Sequence, residues 1–144
     1  MKASVFVTAL VLSLFAPLSQ AQSDNECLIS FTQDYFEWFK GTLHSSASGP
    51  LKDRINAEKE ELTELLNLLR KDNSESCSST HETQINGLIV ETENLFQILS
   101  ALLKDVEAGA AFSMGDEVMS ARSKYRAYNA KLVKNLMYET GIRW

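Results

Sequence analysis

The sequence predicts an all-α fold, a disulfide-stapled four-helix bundle in up-down-up-down order, and three observations lead there. Proline and glycine are sparse, two and six in 144 residues, and the breaker clusters HSSASGP, DNSESCSST and AGAAFSMG cut the chain beyond residue 22 into four segments. Each segment repeats its apolar residues at helical spacing, and none shows the period of two that a half-buried strand requires. The two cysteines, Cys27 and Cys77, fall at one end of a bundle only if successive helices alternate in direction.

The first 21 residues, MKASVFVTALVLSLFAPLSQA, stand apart from that fold. Lys2 is their only charge, an apolar run extends from Val5 to Pro17, and Ser19-Gln20-Ala21 has the small-x-small pattern of a cleavage site. This is expected to be a secretory signal peptide, because a membrane-spanning helix needs about 20 apolar residues and this run is shorter. No second run of that kind follows, so the expectation is a secreted, extracellular chain without a transmembrane anchor, residues 22–144 forming one domain. In an oxidising compartment an even pair of cysteines is more often bridged than free. By the chain-entropy model, a Cys27–Cys77 bridge would contribute roughly 4 kcal/mol.

Helix one is expected over about 24–41. Ser23-Asp24-Asn25-Glu26 is a capping-box order and Gly41 can close the helix. Five of the nine residues from Phe31 to Phe39 are aromatic. At 100° per residue, Phe31, Tyr35, Trp38 and Phe39 share an arc of about 100°, the width of a core-facing stripe. Phe36 lies at the margin, about 140° from Phe31. It is the candidate for an edge left to a partner.

Helix two, about 50–71, starts at Gly49-Pro50 and carries Leu51, Ile55, Leu62, Leu65, Leu66 and Leu69 on one face. Helix three, about 80–107, opens with Ser79-Thr80-His81-Glu82 and follows a three-four alternation through Ile85, Leu88, Thr92, Leu95, Leu99, Leu102 and Val106. Helix four, about 115–140, aligns Val118, Ala121, Tyr125, Tyr128, Leu132 and Leu136, widened by Met119, Val133 and Met137, before Gly141. A helix of about 22 residues is ~33 Å long, whereas an eight-residue link stretches at most ~28 Å. Links this short do not return along the bundle, which favours up-down-up-down order.

Chemistry is sparse by comparison. HEXXH, CXXC, Glu-x-x-His and phosphate-loop patterns are absent. His81-Glu82 reads as capping chemistry, and Glu91 and Glu93 point to different faces of a helix. No enzyme activity, metal or cofactor is expected. Charge is more informative: residues 22–117 carry 18 acidic and seven basic side chains, residues 118–144 one acidic and six basic. Lys124, Lys131 and Lys134 share the face of helix four opposite Tyr125 and Leu132. They form either an anion-facing strip or a complement to acidic helices two and three. Nucleic acid is not expected, since the net charge is −5 and the aromatics and the basic strip lie on different helices.

A signal peptide, about 120 following residues, helix throughout, one cysteine pair and no catalytic set together resemble the small secreted helical proteins of arthropod saliva, venom or seminal fluid. That resemblance implies action by binding proteins or small ligands. The segment pattern also resembles exchangeable lipid-carrying bundles, whereas insect odorant-binding proteins normally have six cysteines against two here. The leading expectation is a non-enzymatic factor that binds an extracellular protein or receptor through Phe36, Lys124, Lys131 and Lys134. The alternative is a carrier of a fatty acid or other small apolar ligand, lined by Phe31, Tyr35, Trp38, Phe39, Tyr125 and Tyr128.

Overall fold

A computed structural model describes residues 26–42, 48–75 and 81–143. The expected signal peptide, the Ser23 and Ser79-Thr80 cap positions and Cys77 lie outside the described residues. Within them the chain forms four helices and no strand: α1 (26–42), α2 (Leu51–Glu75), α3 (Glu82–Glu107) and α4 (Gly115–Thr140). None of these helices is long and apolar enough to cross a membrane.

The helix ends follow from local chemistry. The Pro50 carbonyl accepts the N–H groups of Asp53 and Arg54 at 3.0 and 3.1 Å and so starts α2. α3 closes in a Schellman turn, where Ala110 N–H reaches the Asp105 carbonyl at 2.7 Å and Gly109 takes φ 73°. α2 runs to Glu75, beyond its expected end near residue 71. His81 corrects a sequence expectation: it occupies the N-cap position of α3 yet makes no side-chain cap. A cap needs a short side chain with an acceptor close to the backbone. The imidazole instead crosses to α4, with Nε2 2.8 Å from Glu139 Oε2, and is buried.

The core divides into two clusters. The first joins Phe31, Tyr35 and Phe36 of α1 to Leu65 and Leu69 of α2, Ile85 and Leu88 of α3, and Leu132, Val133 and Leu136 of α4. The second joins Ile55 and Leu62 of α2, Leu95 and Leu99 of α3, and Val118 and Ala121 of α4, with no described α1 residue. Tyr125 packs against both. One half is therefore a four-helix core and the other a three-helix core. Ion pairs tie the elements together, at helix ends for Lys52 to Glu107 at 3.6 Å and His81 to Glu139, and at mid-α3 for Arg70 to Glu93.

Phe36 is the main correction to the reading of α1. It is 4% exposed and belongs to the first cluster, so it is no partner-facing edge. The reason is Thr32, which falls about 100° from Phe31, between Phe39 and Phe36. Its hydroxyl donates to the Leu28 carbonyl at 2.7 Å, which satisfies the polar group and lets Thr32 be fully buried. Counting Thr32 as core moves the centre of the buried arc toward Phe36. Thr92 in α3 uses the same device, donating to Leu88 at 2.6 Å.

Removing the Phe36 ring should therefore act on stability. Phe36→Ala is expected to lower unfolding free energy by about 3–5 kcal/mol, the range for large-to-small core truncation, measured as a shift in denaturant midpoint at constant slope. A midpoint within error of the parent would return Phe36 to the surface.

Candidate functional site

A cleft of about 590 Å³ opens where the described part of α1 ends. Its roof is the C-terminal portion of α1, with Trp38, Phe39 and Thr42. One wall is the first half of α2, with Arg54, Glu58, Glu61 and Leu62; the other is Met114 and the cleft-facing flank of α4. On that flank Arg122, Tyr125, Arg126 and Asn129 recur at three- and four-residue spacing, which places them on neighbouring turns. The roof is held by ring stacking, the Trp38 and Tyr35 centroids lying 6.0 Å apart with planes at 26°.

The walls are joined by a bidentate ion pair. Arg122 Nε donates to Glu58 Oε1 at 2.9 Å and Nη2 donates to Oε2 at 2.7 Å. Both side chains are about four-fifths covered, a setting in which a charge-assisted fork holds its geometry far better than an exposed pair. Arg54 and Arg126, by contrast, are exposed and have no ion pair among the described residues. Glu61 is not free.

Two phenols lie in and behind the cleft. Burial, reinforced by Glu61 and Glu58 and opposed by Arg126, pushes the Tyr125 phenol far above its ordinary range. Burial, with a smaller contribution from Tyr125, does the same to Tyr35. Tyr35 Oη, Trp38 Nε1 and Asn129 Oδ1 are all buried without a hydrogen-bond partner among the described residues. Asn129 itself is only 6% exposed, so the fold leaves a side-chain acceptor in the cleft wall unmatched among the described residues.

The structure separates the residues that sequence grouped together. Trp38, Phe39 and Tyr125 line the cleft, while Phe31 and Tyr35 are buried in the first core cluster behind it. Tyr128 lies elsewhere, its ring against Gly87 of α3, where an added Cβ would fall 2.7 Å from Cε1. Lys124, Lys131 and Lys134 are exposed along α4 and make no ion pair among the described residues. Complementarity between α4 and acidic α2 does exist, but Arg122 carries it rather than the lysines. Sequence reasoning missed Arg54, Glu58, Glu61, Arg122, Arg126 and Asn129. The three on α4 had one signal, polar residues recurring beside that helix's apolar face, which a wheel assigns to solvent. Among the described residues no three His, Cys, Asp or Glu side chains gather as a metal site.

The phenols make stability depend on alkaline pH. In the unfolded chain Tyr35 and Tyr125 ionise near pH 10, about their unperturbed value; in the folded chain both stay protonated well above it. Above about pH 10 the unfolded state therefore binds fewer protons, and stability falls by about 1.4 kcal/mol per pH unit for each phenol, the contribution being complete at lower pH. Chemical denaturation between about pH 9 and pH 11 should show a shallower decline in a Tyr35→Phe, Tyr125→Phe variant. Equal slopes in parent and variant would mean that both phenols ionise in place.

No protein-family model, curated protein or solved structure matches this chain, so its function rests on the cleft and surfaces described above.

Proposed function

We propose that the chain is a secreted, non-enzymatic binding protein that holds a small, largely apolar ligand in the cleft beneath α1. The observation that carries this reading is the cleft itself: about 590 Å³, roofed by Trp38 and Phe39 and walled by Leu62 and Tyr125. That volume falls in the range of small-molecule sites, roughly 300–1,000 Å³. Two features of the sequence expectation change. The protein-binding reading loses Phe36 to the core, and the carrier reading moves from the bundle interior to the step at the end of α1.

The supporting frame is a stapled, alternating bundle. Lys52 with Glu107 and His81 with Glu139 link the start of one helix to the end of the next, which supports up-down order for α2, α3 and α4. Residues 1–21 read as a signal peptide, and an oxidising destination would bridge Cys27 to Cys77. Cys27 is not a free cysteine, and the chain has one other. The absence of catalysis is supported by how the cleft's reactive groups are occupied. Glu58 is held by Arg122, and the Thr42 hydroxyl donates to the Phe39 carbonyl at 2.9 Å. Neither is poised as a nucleophile or base.

A second reading rests on a different observation. Lys124, Lys131 and Lys134 stay exposed, without an ion pair among the described residues, on a chain of net charge −5. They favour an acidic extracellular protein as partner on the outer face of α4.

Native mass spectrometry of protein taken directly from the medium of secreting cells tests the first reading. A mass for the chain from Gln22 with two hydrogens missing, plus a small-molecule adduct that Ala130→Phe diminishes at least tenfold, is the expected result; an adduct-free spectrum for the parent would remove it. For the second, Lys124→Glu with Lys131→Glu should cut recovery of a co-purifying acidic protein without loss of helicity. Undiminished recovery would end the lysine reading.

A further inference from the structure

The hydrogen-bonding capacity left over in the cleft is lopsided. Of its three guanidinium groups, Arg122 is consumed by Glu58 through both arms of the fork. Arg54 and Arg126 have no carboxylate partner among the described residues, although both line the same space. The two carboxylates offer no matching surplus, because Glu58 is engaged and Glu61 is not free. At the end of α1 the Phe39 carbonyl already accepts the Thr42 hydroxyl. The remaining polar members of the wall are the Tyr125 phenol, an indole N–H on Trp38 and Asn129, the Trp38 Nε1 and Asn129 Oδ1 atoms being buried without a hydrogen-bond partner among the described residues. What Arg54 and Arg126 lack among the described residues is an anionic partner.

Position matters as much as charge. Arg126 and Asn129 lie one turn apart on the same flank of α4, beside Tyr125. Arg54 stands on the facing helix, one turn before Glu58. The aromatic roof of Trp38 and Phe39 lies above them. A ligand whose body contacts the roof therefore meets cations at the open margin.

Resting on the cleft reading given above, we infer that the ligand is an amphipathic organic anion: a ring- or chain-sized apolar body under Trp38 and Phe39, with one acidic group held by Arg126, or by Arg54 at the facing wall. A guanidinium suits this task because its planar donor fork matches a carboxylate or sulfonate.

A matched pair of dyes separates this inference from the reading beneath it. Anilinonaphthalene sulfonate and phenylnaphthylamine share one aromatic body and differ by the anionic group. In a Trp144→Phe background Trp38 is the single tryptophan, so quenching of its emission locates either dye at the roof. The expected result is sulfonate binding about tenfold tighter than the neutral dye, the effect of one charge-assisted contact. That advantage should be lost in Arg54→Gln, Arg126→Gln and kept in Lys124→Gln, Lys131→Gln, whose charges lie outside the cleft. Equal affinities for the two dyes, or an advantage that survives loss of both arginines, would overturn the anion assignment while leaving the cleft as a binding site. If neither dye quenches Trp38, or if Ala130→Phe leaves both affinities unchanged, the cleft reading falls and the anion with it.

Discussion

The division of the core into two clusters is the constraint on which the rest of the molecule depends. Phe31, Tyr35 and Phe36 of α1 pack into the first cluster, whereas no described α1 residue packs into the second. Among the described residues, one half is therefore a four-helix core and the other a three-helix core. The step between them is the cleft.

Covering the three-helix half without α1 requires something other than aromatic surface. Ile55, Leu62, Val118 and Ala121 are nearly inaccessible although no described α1 residue packs there. The Glu58–Arg122 fork joins α2 and α4 across this region. The aliphatic stems of both side chains shield apolar neighbours while their charged ends satisfy each other. An apolar lid would bury more surface but would expose a sticky patch beside an open cleft. The charged fork leaves the floor of the cleft polar beneath an aromatic roof, and that contrast gives the site its amphipathic character.

The four helices were legible because their apolar residues repeat at three and four over several turns, the strongest pattern a sequence offers. The seam of α3 was read through Thr92 because its neighbours made the periodicity obvious. In α1, Thr32 was not given the same treatment, and the error fell on Phe36. A threonine hydroxyl that bonds to its own helix is no longer polar to its surroundings, and only the local hydrogen bond distinguishes that state from a solvated one. The cleft was half legible. Trp38, Phe39 and Tyr125 were singled out for being aromatic on core-facing arcs, but the charged walls follow from where α1 stops against α2 and α4, a long-range relation with no periodic trace.

The basic side chains of α4 sort by type as well as by face. Arg122 and Arg126 occupy the flank turned toward the cleft, and Lys124, Lys131 and Lys134 the flank turned away. Chemistry gives a reason for that division. A half-buried bidentate contact needs a planar donor fork that loses little hydration, which arginine supplies and lysine does not. A fully solvated strip needs only compact, well-hydrated charge, which lysine provides. Summed along the sequence these residues look like one basic helix balancing an acidic remainder. Resolved by face, they are two separate devices: guanidinium groups that close and line a cleft, and ammonium groups held out in water on the other side of the same helix.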